Sequence, residues 1–391
     1  MVPILFIKIK NAINYFFTSI ILFLIKLGSR KEKKGTLLLI RLDFIGDYIL
    51  FRNFLGIIRN SAKYKNYNIT LCGNIAWKDL AETFDKKVVN RFIWIDNKKF
   101  YRNLFYKYRV LNRIYKLGFE TVIEATHSRA ILYGDTIVNA SKARIRIGSE
   151  GSGEKHVVWK RKLFTDKLYS SLIKISDNNL FEFEINRELF NSLLGEEINI
   201  TKPDLDTSML QQSEKIKNRY VLLFPGASQH NKKWSSKNFK EVAEFVIDNF
   251  PFNIALSGSK NESYLFDEIV PVNSGNRFLN FFGNTLAELS KLIAEAKLLI
   301  SNETSAIHIA AAVNTPFICI SNGSHFGRFH PYPKEIFEEA YFIYPTEIVN
   351  KINDIKGLSE QYRFGSDLNI NQIKPETVIP VIKKLLTKFE V

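Results

Sequence analysis

Three short stretches of this chain each combine a strand-like apolar run, a turn of small residues and ionisable side chains. The first is RLDFIGDYIL, residues 41–50. Gly46 lets the chain turn tightly from strand into helix, which sets Asp47 in a first helical turn. A carboxylate placed there can take the proton from a hydroxyl nucleophile, which is the work of a general base. The helix dipole favours an aspartate there for structural reasons as well, and Asp43, earlier on the same turn, competes for the role.

The second stretch is PGASQHNKKW, residues 225–234. The loop from Gly226 to Asn231 offers main-chain N–H groups, with Ser228 among its small polar residues. Lys232 and Lys233 add positive charge, so a phosphate in the loop would receive charge-assisted hydrogen bonds. From these residues alone, an ordinary strand-to-helix connection with surface lysines reads equally well.

The third is SNETSAIHIAAAVNTP, residues 301–316. Glu303, Thr304 and Ser305 precede an alanine-rich helix whose free N–H groups and neighbouring hydroxyls suit a diphosphate. His308 lies one turn inside, on the face of Thr304. It is either a stabiliser of a departing group or a hydrogen-bonded structural histidine. A fourth stretch, GSEGSGEKHV at 148–157, fails as a phosphate loop, because Glu154, Lys155 and His156 follow Gly153 where Gly-Lys-Ser/Thr is required. There is no spaced Cys/His cluster and no Gly-x-Ser-x-Gly elbow, so neither a metal nor a cofactor is expected.

These turns must be held by regular elements, and the chain supplies them. From Gly35 short apolar strands alternate with amphipathic helices: TLLLIRL, GDYILFRNFLGIIRN, NITLCG, AWKDLAETF and RFIWID, then a basic helix near 101–117, TVIEAT, and a helix in SRAILYGDTIVNA. The rhythm stops in a polar stretch near 195–218 and restarts with YVLLFPG, continuing to PFICIS. Continuous apolar strands between helices predict parallel sheets covered on both faces. The expected architecture is α/β, with two doubly wound Rossmann-like domains facing a central cleft, at 35–200 and 201–391.

Taken together and in order, LLIRLDFIGDYILFRNFL, PGASQHNKKWSSKNFKEVA and LAELSKLIAEAKLLISNETSAIHIAAAVNTP resemble glycosyltransferase family 9, the group of the lipopolysaccharide heptosyltransferases. The resemblance covers roughly residues 35–390 and implies a GT-B fold with the nucleotide-sugar donor held by the C-terminal domain. It implies Asp47 as catalytic base, Lys232 as a donor-phosphate contact with Lys233 as its solvent-facing neighbour, and Glu262 as the acid reaching the donor's ribose. Glu303, Thr304, Ser305 and His308 fall on the family's Asp-Thr-Gly-x-x-His stretch, with Glu and Ser replacing Asp and Gly. A Cβ at 305 crowds the approach of backbone to the donor, which bears on the identity of the sugar. Gly226, Ser228, Arg328 and His330 are secondary candidates, the last two lying in SNGSHFGRFHPYP, where the family has Gly-Pro-Thr. The expected partners are a nucleotide-sugar donor and a lipid-linked saccharide acceptor, with metal-independent, inverting transfer.

Bulk properties fit this picture. The 391 residues carry 55 Lys+Arg against 40 Asp+Glu, a net charge of +15, which favours anionic partners. The positive charge is scattered rather than gathered in a recognition motif, which disfavours nucleic acid. Cys72 and Cys319 sit far apart in apolar runs, as in a reducing compartment. Residues 1–34 hold an apolar block from about Tyr15 to Ile25, flanked by Lys8, Lys10, Lys26, Arg30, Lys31, Lys33 and Lys34. No small-residue cleavage site follows, so a removed signal peptide is not expected. The block is shorter than the roughly 20 residues of a spanning helix. A helix lying on an anionic membrane surface is expected instead, with the protein cytoplasmic and peripheral to the inner membrane, and the alternative is a helix packed on the protein's own body. Two other readings use the same residues: a nucleotide-sugar epimerase or hydrolase, and a non-catalytic membrane-surface protein with a degenerate site.

Overall fold

The computed structural model describes residues 2–152, 155–177, 179–212, 216, 218–272 and 275–389. Gly153 and Glu154 of the rejected phosphate loop, and part of the polar stretch near 195–218, lie outside the described residues. The chain forms two compact units, Met1–Asn178 with Glu184–Asn199, and Asn179–Phe183 with Ile200–Val391. The segment Asn179–Phe183, placed by the sequence in the first domain, packs with the second unit. Its backbone explains why: Glu182 N donates to Arg328 O at 2.8 Å, and Arg363 donates to Leu180 O at 3.0 Å.

The first unit is built on six parallel strands: β1 (Lys33–Arg41), β2 (Asn68–Asn74), β3 (Arg91–Ile95), β4 (Phe119–Glu124), β5 (Ile145–Ser149) and β6 (Ser171–Ile173). Their order is β3-β2-β1-β4-β5-β6, so the strand order reverses between β1 and β4. Leu37 to Ile40 are fully buried, which is why that run reads as continuously apolar. Ile40 is level with Cys72 on β2 and Glu124 on β4, which fixes where the turn after β1 emerges.

Two expected helices are differently divided. The arc after Gly46 is Ile45–Ile49 and Asn53–Asn60, joined by tightened bonds such as Phe54 N to Phe51 O at 3.0 Å. There Tyr48 is buried and stacks on Trp77 at 4.0 Å. The basic helix is Asn97–Arg102 and Leu104–Leu117, because Asn103 caps the second piece by accepting from Tyr106 N at 2.9 Å. The helix expected at SRAILYGDTIVNA starts only at Gly134, since Arg129 is buried and bonded to Asp166.

The second unit repeats the plan with β7 (Tyr220–Phe224), β8 (Asn253–Gly258), β9 (Phe278–Phe282), β10 (Leu298–Asn302), β11 (Phe317–Ile320) and β12 (Ala340–Ile343). All pair in parallel in the order β12-β11-β10-β7-β8-β9, reversing between β7 and β10. Parallel sheets open a crevice at the carboxyl ends of their strands where the order reverses. In each unit the turns singled out from the sequence leave the sheet beside that reversal.

The N-terminal residues form one helix, Val2–Lys26, longer than the apolar block suggested, and Ile9–Lys26 is long and apolar enough to cross a membrane by length and composition. One face of it is fastened to the first unit. Ile21, Leu22 and Ile25 enter the core under β1. Asn14 and Thr18 accept hydrogen bonds from Lys107 Nζ at 2.6 and 2.9 Å. Lys107 is fully buried with no carboxylate paired to it among the described residues, and burial lowers its pKa to about 8. The unfolded chain keeps that proton up to about pH 10.4, so this lysine makes the fold more stable as pH rises from about 8 to about 10.

Replacing Lys107 with alanine removes both bonds and leaves the amide of Asn14 and the hydroxyl of Thr18 short of a donor. The expected result is a loss of about 2 kcal/mol and faster cleavage within residues 10–26 in limited proteolysis. Unchanged protection would show that the apolar contacts alone hold the helix.

Candidate functional site

In the first unit the acidic turn after β1 is organised by a residue the sequence reading passed over. Arg41, the last residue of β1, is fully buried, and its guanidinium donates to Ala125 O at 2.7 Å and to Asn186 Oδ1 at 2.9 Å. The same group pairs with Asp43 at 3.0 Å and reaches Asp47 at 4.0 Å. Thr126, just past β4, donates to Asp43 Oδ1 at 3.3 Å. Asp43 is thus bound from two sides, and its backbone carbonyl accepts from Asn74 and Trp77 at 3.1 Å each. Asp47 sits in the first turn of the helix Ile45–Ile49, 7% exposed. The structure therefore sets the two aspartates on one arginine, with Asp43 the more tightly engaged.

In the second unit the loop after β7 is tied down before its lysines are reached. Asn302 at the end of β10 donates to Pro225 O at 2.7 Å and accepts from Trp234 N at 3.1 Å. Trp234 is buried and donates through Nε1 to Ile373 O at 2.8 Å. The lysines between these anchors point to opposite sides. Lys232 Nζ lies 2.8 Å from Glu303 Oε1 and 3.1 Å from His325 Nδ1, with both ion-pair partners over 90% buried. Lys233 Nζ pairs with Glu262 Oε1 at 3.1 Å, so it is half-buried and engaged rather than facing solvent as expected.

Glu303 is the centre of this group. Burial alone would raise its carboxyl, but His330, His325 and Lys232 together hold it well below the usual carboxylate range. His330 is fully buried and held by Tyr344 Oη at 2.8 Å and Ser324 O at 2.6 Å, standing 3.4 Å from Glu303 Oε2. It therefore supports Glu303 from behind. His325, which the sequence reading missed, has its pKa lowered by burial.

Glu262 forms a second station, beyond β8. It accepts from Ser259 Oγ at 2.7 Å and Ala227 N at 3.2 Å. Its carboxyl is lowered despite burial because Ser259 and Lys233 bond to it. A Cβ on Gly226 would meet Glu262 Oε2 at 2.4 Å, so a larger residue there would push the end of the Glu262 side chain aside. Ser228 is exposed on the loop.

The third stretch forms the helix Ser305–Ala312, with Thr304 as its cap accepting from Ala306 N at 3.3 Å. Ser305 is its first residue. His308 is buried, and its Nδ1 shares a 2.7 Å hydrogen bond with Tyr332 Oη. Burial brings its pKa down to about 3, so its ring is neutral at ordinary pH. Arg328 does not join the Lys232 group; its Nε pairs with Glu182 at 2.9 Å.

Two six-stranded parallel sheets, each reversing its order where these polar turns emerge, are the architecture of the GT-B class. Residues 119–338 match glycosyltransferase family 9 (heptosyltransferase), and the chain belongs to that family. The match takes in Lys232, Glu262, Glu303 and His308, while Asp43 and Asp47 precede it. Lipooligosaccharide heptosyltransferase 2 of Haemophilus influenzae is 29% identical over 211 residues, 50% of this chain and 58% of that protein. Lipopolysaccharide heptosyltransferase 3 of Escherichia coli is 25% identical over 217 residues, 52% of this chain and 59% of that protein. The chain thus spans somewhat under two thirds of the length of these relatives. Among solved structures, the E. coli heptosyltransferase WaaC with ADP superimposes with a TM-score of 0.68 at 14% identity, over 89% of this chain and 99% of that one.

The neutral His308 gives a signed pH dependence. Its folded pKa of about 3 lies below the unfolded value of about 6.5. Its contribution is therefore complete above pH 6.5 and is lost as pH falls towards 3. His308→Gln is expected to lose stability less steeply than the parent across that window, by a difference of up to about 4 kcal/mol at the acid end. Thermal unfolding of both proteins from pH 7 to 4 measures it, and parallel curves would refute the neutral assignment.

Proposed function

We propose that this protein is an inverting glycosyltransferase that moves heptose, or a related sugar, from a nucleotide-diphosphate donor to a lipid-linked acceptor of lipopolysaccharide or another surface glycan. The observation that carries the reading is the buried Lys232–Glu303 pair at the β7/β10 reversal, inside the stretch that defines the family. The heptosyltransferase relatives and a fold neighbour solved with ADP support the choice of donor class. Glu303 and Ser305, which stand where the family pattern has Asp and Gly, are the places where a different sugar would be read.

The residues divide the work by charge. Asp47 takes the proton from the acceptor hydroxyl as it attacks the anomeric carbon, and the sugar passes through an oxocarbenium-like state. Arg41 acts through Asp47 and Asp43 by fixing where the carboxylates point. The departing diphosphate gathers charge, which Lys232 and the N–H groups at Thr304–Ser305 stabilise from fixed positions. Glu303 keeps the Lys232 ammonium aimed, and Glu262 accepts hydrogen bonds from the donor's ribose. Asp47→Ala is expected to lower transfer by about a thousandfold while nucleotide binding persists, read by product formation and calorimetry. Full activity would remove Asp47 from the role of base. Donor turnover by the parent without any acceptor would instead indicate an epimerase or hydrolase.

The protein works at the cytoplasmic face of the inner membrane, on this reading, with the N-terminal helix lying in the lipid interface. Ile9, Ile13, Phe16, Ile20, Phe23 and Leu27 recur every three or four residues and are 40–71% exposed among the described residues. Exposed Lys10, Lys26, Lys31, Lys33 and Lys34 accompany them. The double variant Phe16→Asp, Phe23→Asp is expected to bind anionic phospholipid vesicles at least about tenfold more weakly, since each buried phenylalanine is worth roughly 2 kcal/mol. Equal flotation with both proteins would overturn the assignment.

A further inference from the structure

The helix Lys155–Phe164 of the first unit turns its arginine inward and its tryptophan outward. Its sequence, KHVVWKRKLF, mixes basic with apolar residues and contains no acid. Arg161 is 1% exposed, and its Nη2 donates to Ser152 O at 2.7 Å. Val157 and Val158, on the same side, are half-buried. Trp159 is 61% exposed and Leu163 48%, one turn apart on the outer face. At 3.6 residues per turn, Lys160 falls to one side of that pair and Lys162 to the other, and both lysines are exposed.

A helix that meets only water shows the reverse arrangement, apolar side chains inward and charges outward. An apolar strip that includes a tryptophan and is flanked by lysines suits the boundary between lipid and water. There the indole sits at headgroup level, while the lysine stems cover apolar surface and carry their ammonium groups to the phosphates. With no acid in the helix, its charge is complementary to anionic lipid.

The strip also adjoins the N-terminal helix. The ring of Phe164, 42% exposed, lies 5.9 Å from that of Tyr15, near the middle of Val2–Lys26. That contact brings the outward strip beside the exposed row from Ile9 to Leu27. It also bears on how the N-terminal helix meets lipid. Were that helix to cross the bilayer, Tyr15 would sit at the depth of the acyl chains and draw Lys160 and Lys162 towards it, where charge is costly. Lying flat, the two helices share one boundary.

We propose that Lys155–Phe164 is a second membrane-contacting element, which enters the headgroup region of an anionic bilayer with Trp159 and Leu163 foremost and Lys160 and Lys162 on the lipid phosphates. The proposal rests on the reading of the N-terminal helix above and extends it to a separate part of the chain. One helix in the interface leaves the first unit free to roll about that helix's axis; a second contact beside it removes the freedom.

The full-length protein and its variants Trp159→Phe and Leu163→Asp are compared on phosphatidylcholine vesicles with and without phosphatidylglycerol. The acyl chains carry bromine, which quenches tryptophan emission at short range. Of the four tryptophans, Trp77 and Trp234 are buried and Trp94 is half-buried, so Trp159 is the one placed to report. The anionic vesicles are expected to quench the parent, and Trp159→Phe to bind them within about twofold of the parent while losing most of the quenching. Leu163→Asp is expected to float about tenfold more weakly with an unchanged Tm, since residue 163 is exposed. Quenching that persists in Trp159→Phe, or equal flotation of Leu163→Asp, would overturn the proposal and leave the N-terminal helix as the membrane contact. A change of oligomeric state in Leu163→Asp, read by light scattering, would make the strip a contact between copies of the chain and also overturn it. A parent that floats with neither vesicle would instead defeat the membrane reading from which the proposal starts.

Discussion

Lys232 and Glu303 hold each other in a place nearly closed to water, and the second unit is arranged so that they can. Removing two charges from solvent costs several kcal/mol per ion, and their mutual attraction offsets it only with good geometry and further hydrogen bonds. The surrounding residues supply both. Asn302 fixes the loop on one side of the pair, while His330, set by Tyr344 and the Ser324 carbonyl, stands behind the carboxylate. Such a pair is weak evidence of stability and better evidence of a fixed orientation. An ammonium that cannot wander is what a developing negative charge needs.

The same arrangement appears in the first unit with the charges exchanged. There a buried cation, Arg41, positions two aspartates beside the β1/β4 reversal. A parallel sheet whose order reverses leaves a gap at its carboxyl edge, and in both units the polar turns emerge there. The common device is one interior charge of fixed position at a strand end, which aims a charge of the opposite sign.

Much of this was legible in the amino-acid order, because it depends on neighbours in sequence. Apolar strands such as LLLI and LLIS, and a Thr304 cap before an alanine-rich helix, declare themselves over a few residues. Asp47 and Lys232 stood out for the same reason, at strand ends beside small residues. Arg41 did not, because the partners that reveal its role, Ala125 and Asn186, are 84 and 145 residues away. His325 reaches Lys232 across 93 positions, and the tie between His308 and Tyr332 spans 24. The edge strand β12 escaped notice because it is only four residues long and half-buried. Helix breaks at Asn103 and near Phe51 escaped notice because capping and local tightening leave hydrophobic periodicity intact.

The opposed directions of Lys232 and Lys233 carry a consequence for how this loop can vary. Lys232 closes a short 3-10 turn, His230–Lys232, and Lys233 follows it in extended backbone, which aims one lysine at Glu303 and the other at Glu262. With Pro225 and Trp234 both pinned by Asn302, the path between them has a set number of steps. Losing or gaining a single residue before Lys232 would displace its charge from Glu303, although composition and net charge would barely change. Drift in this loop is therefore expected to tolerate exchange of side chains such as Ser228 and Gln229 far better than any change in its length.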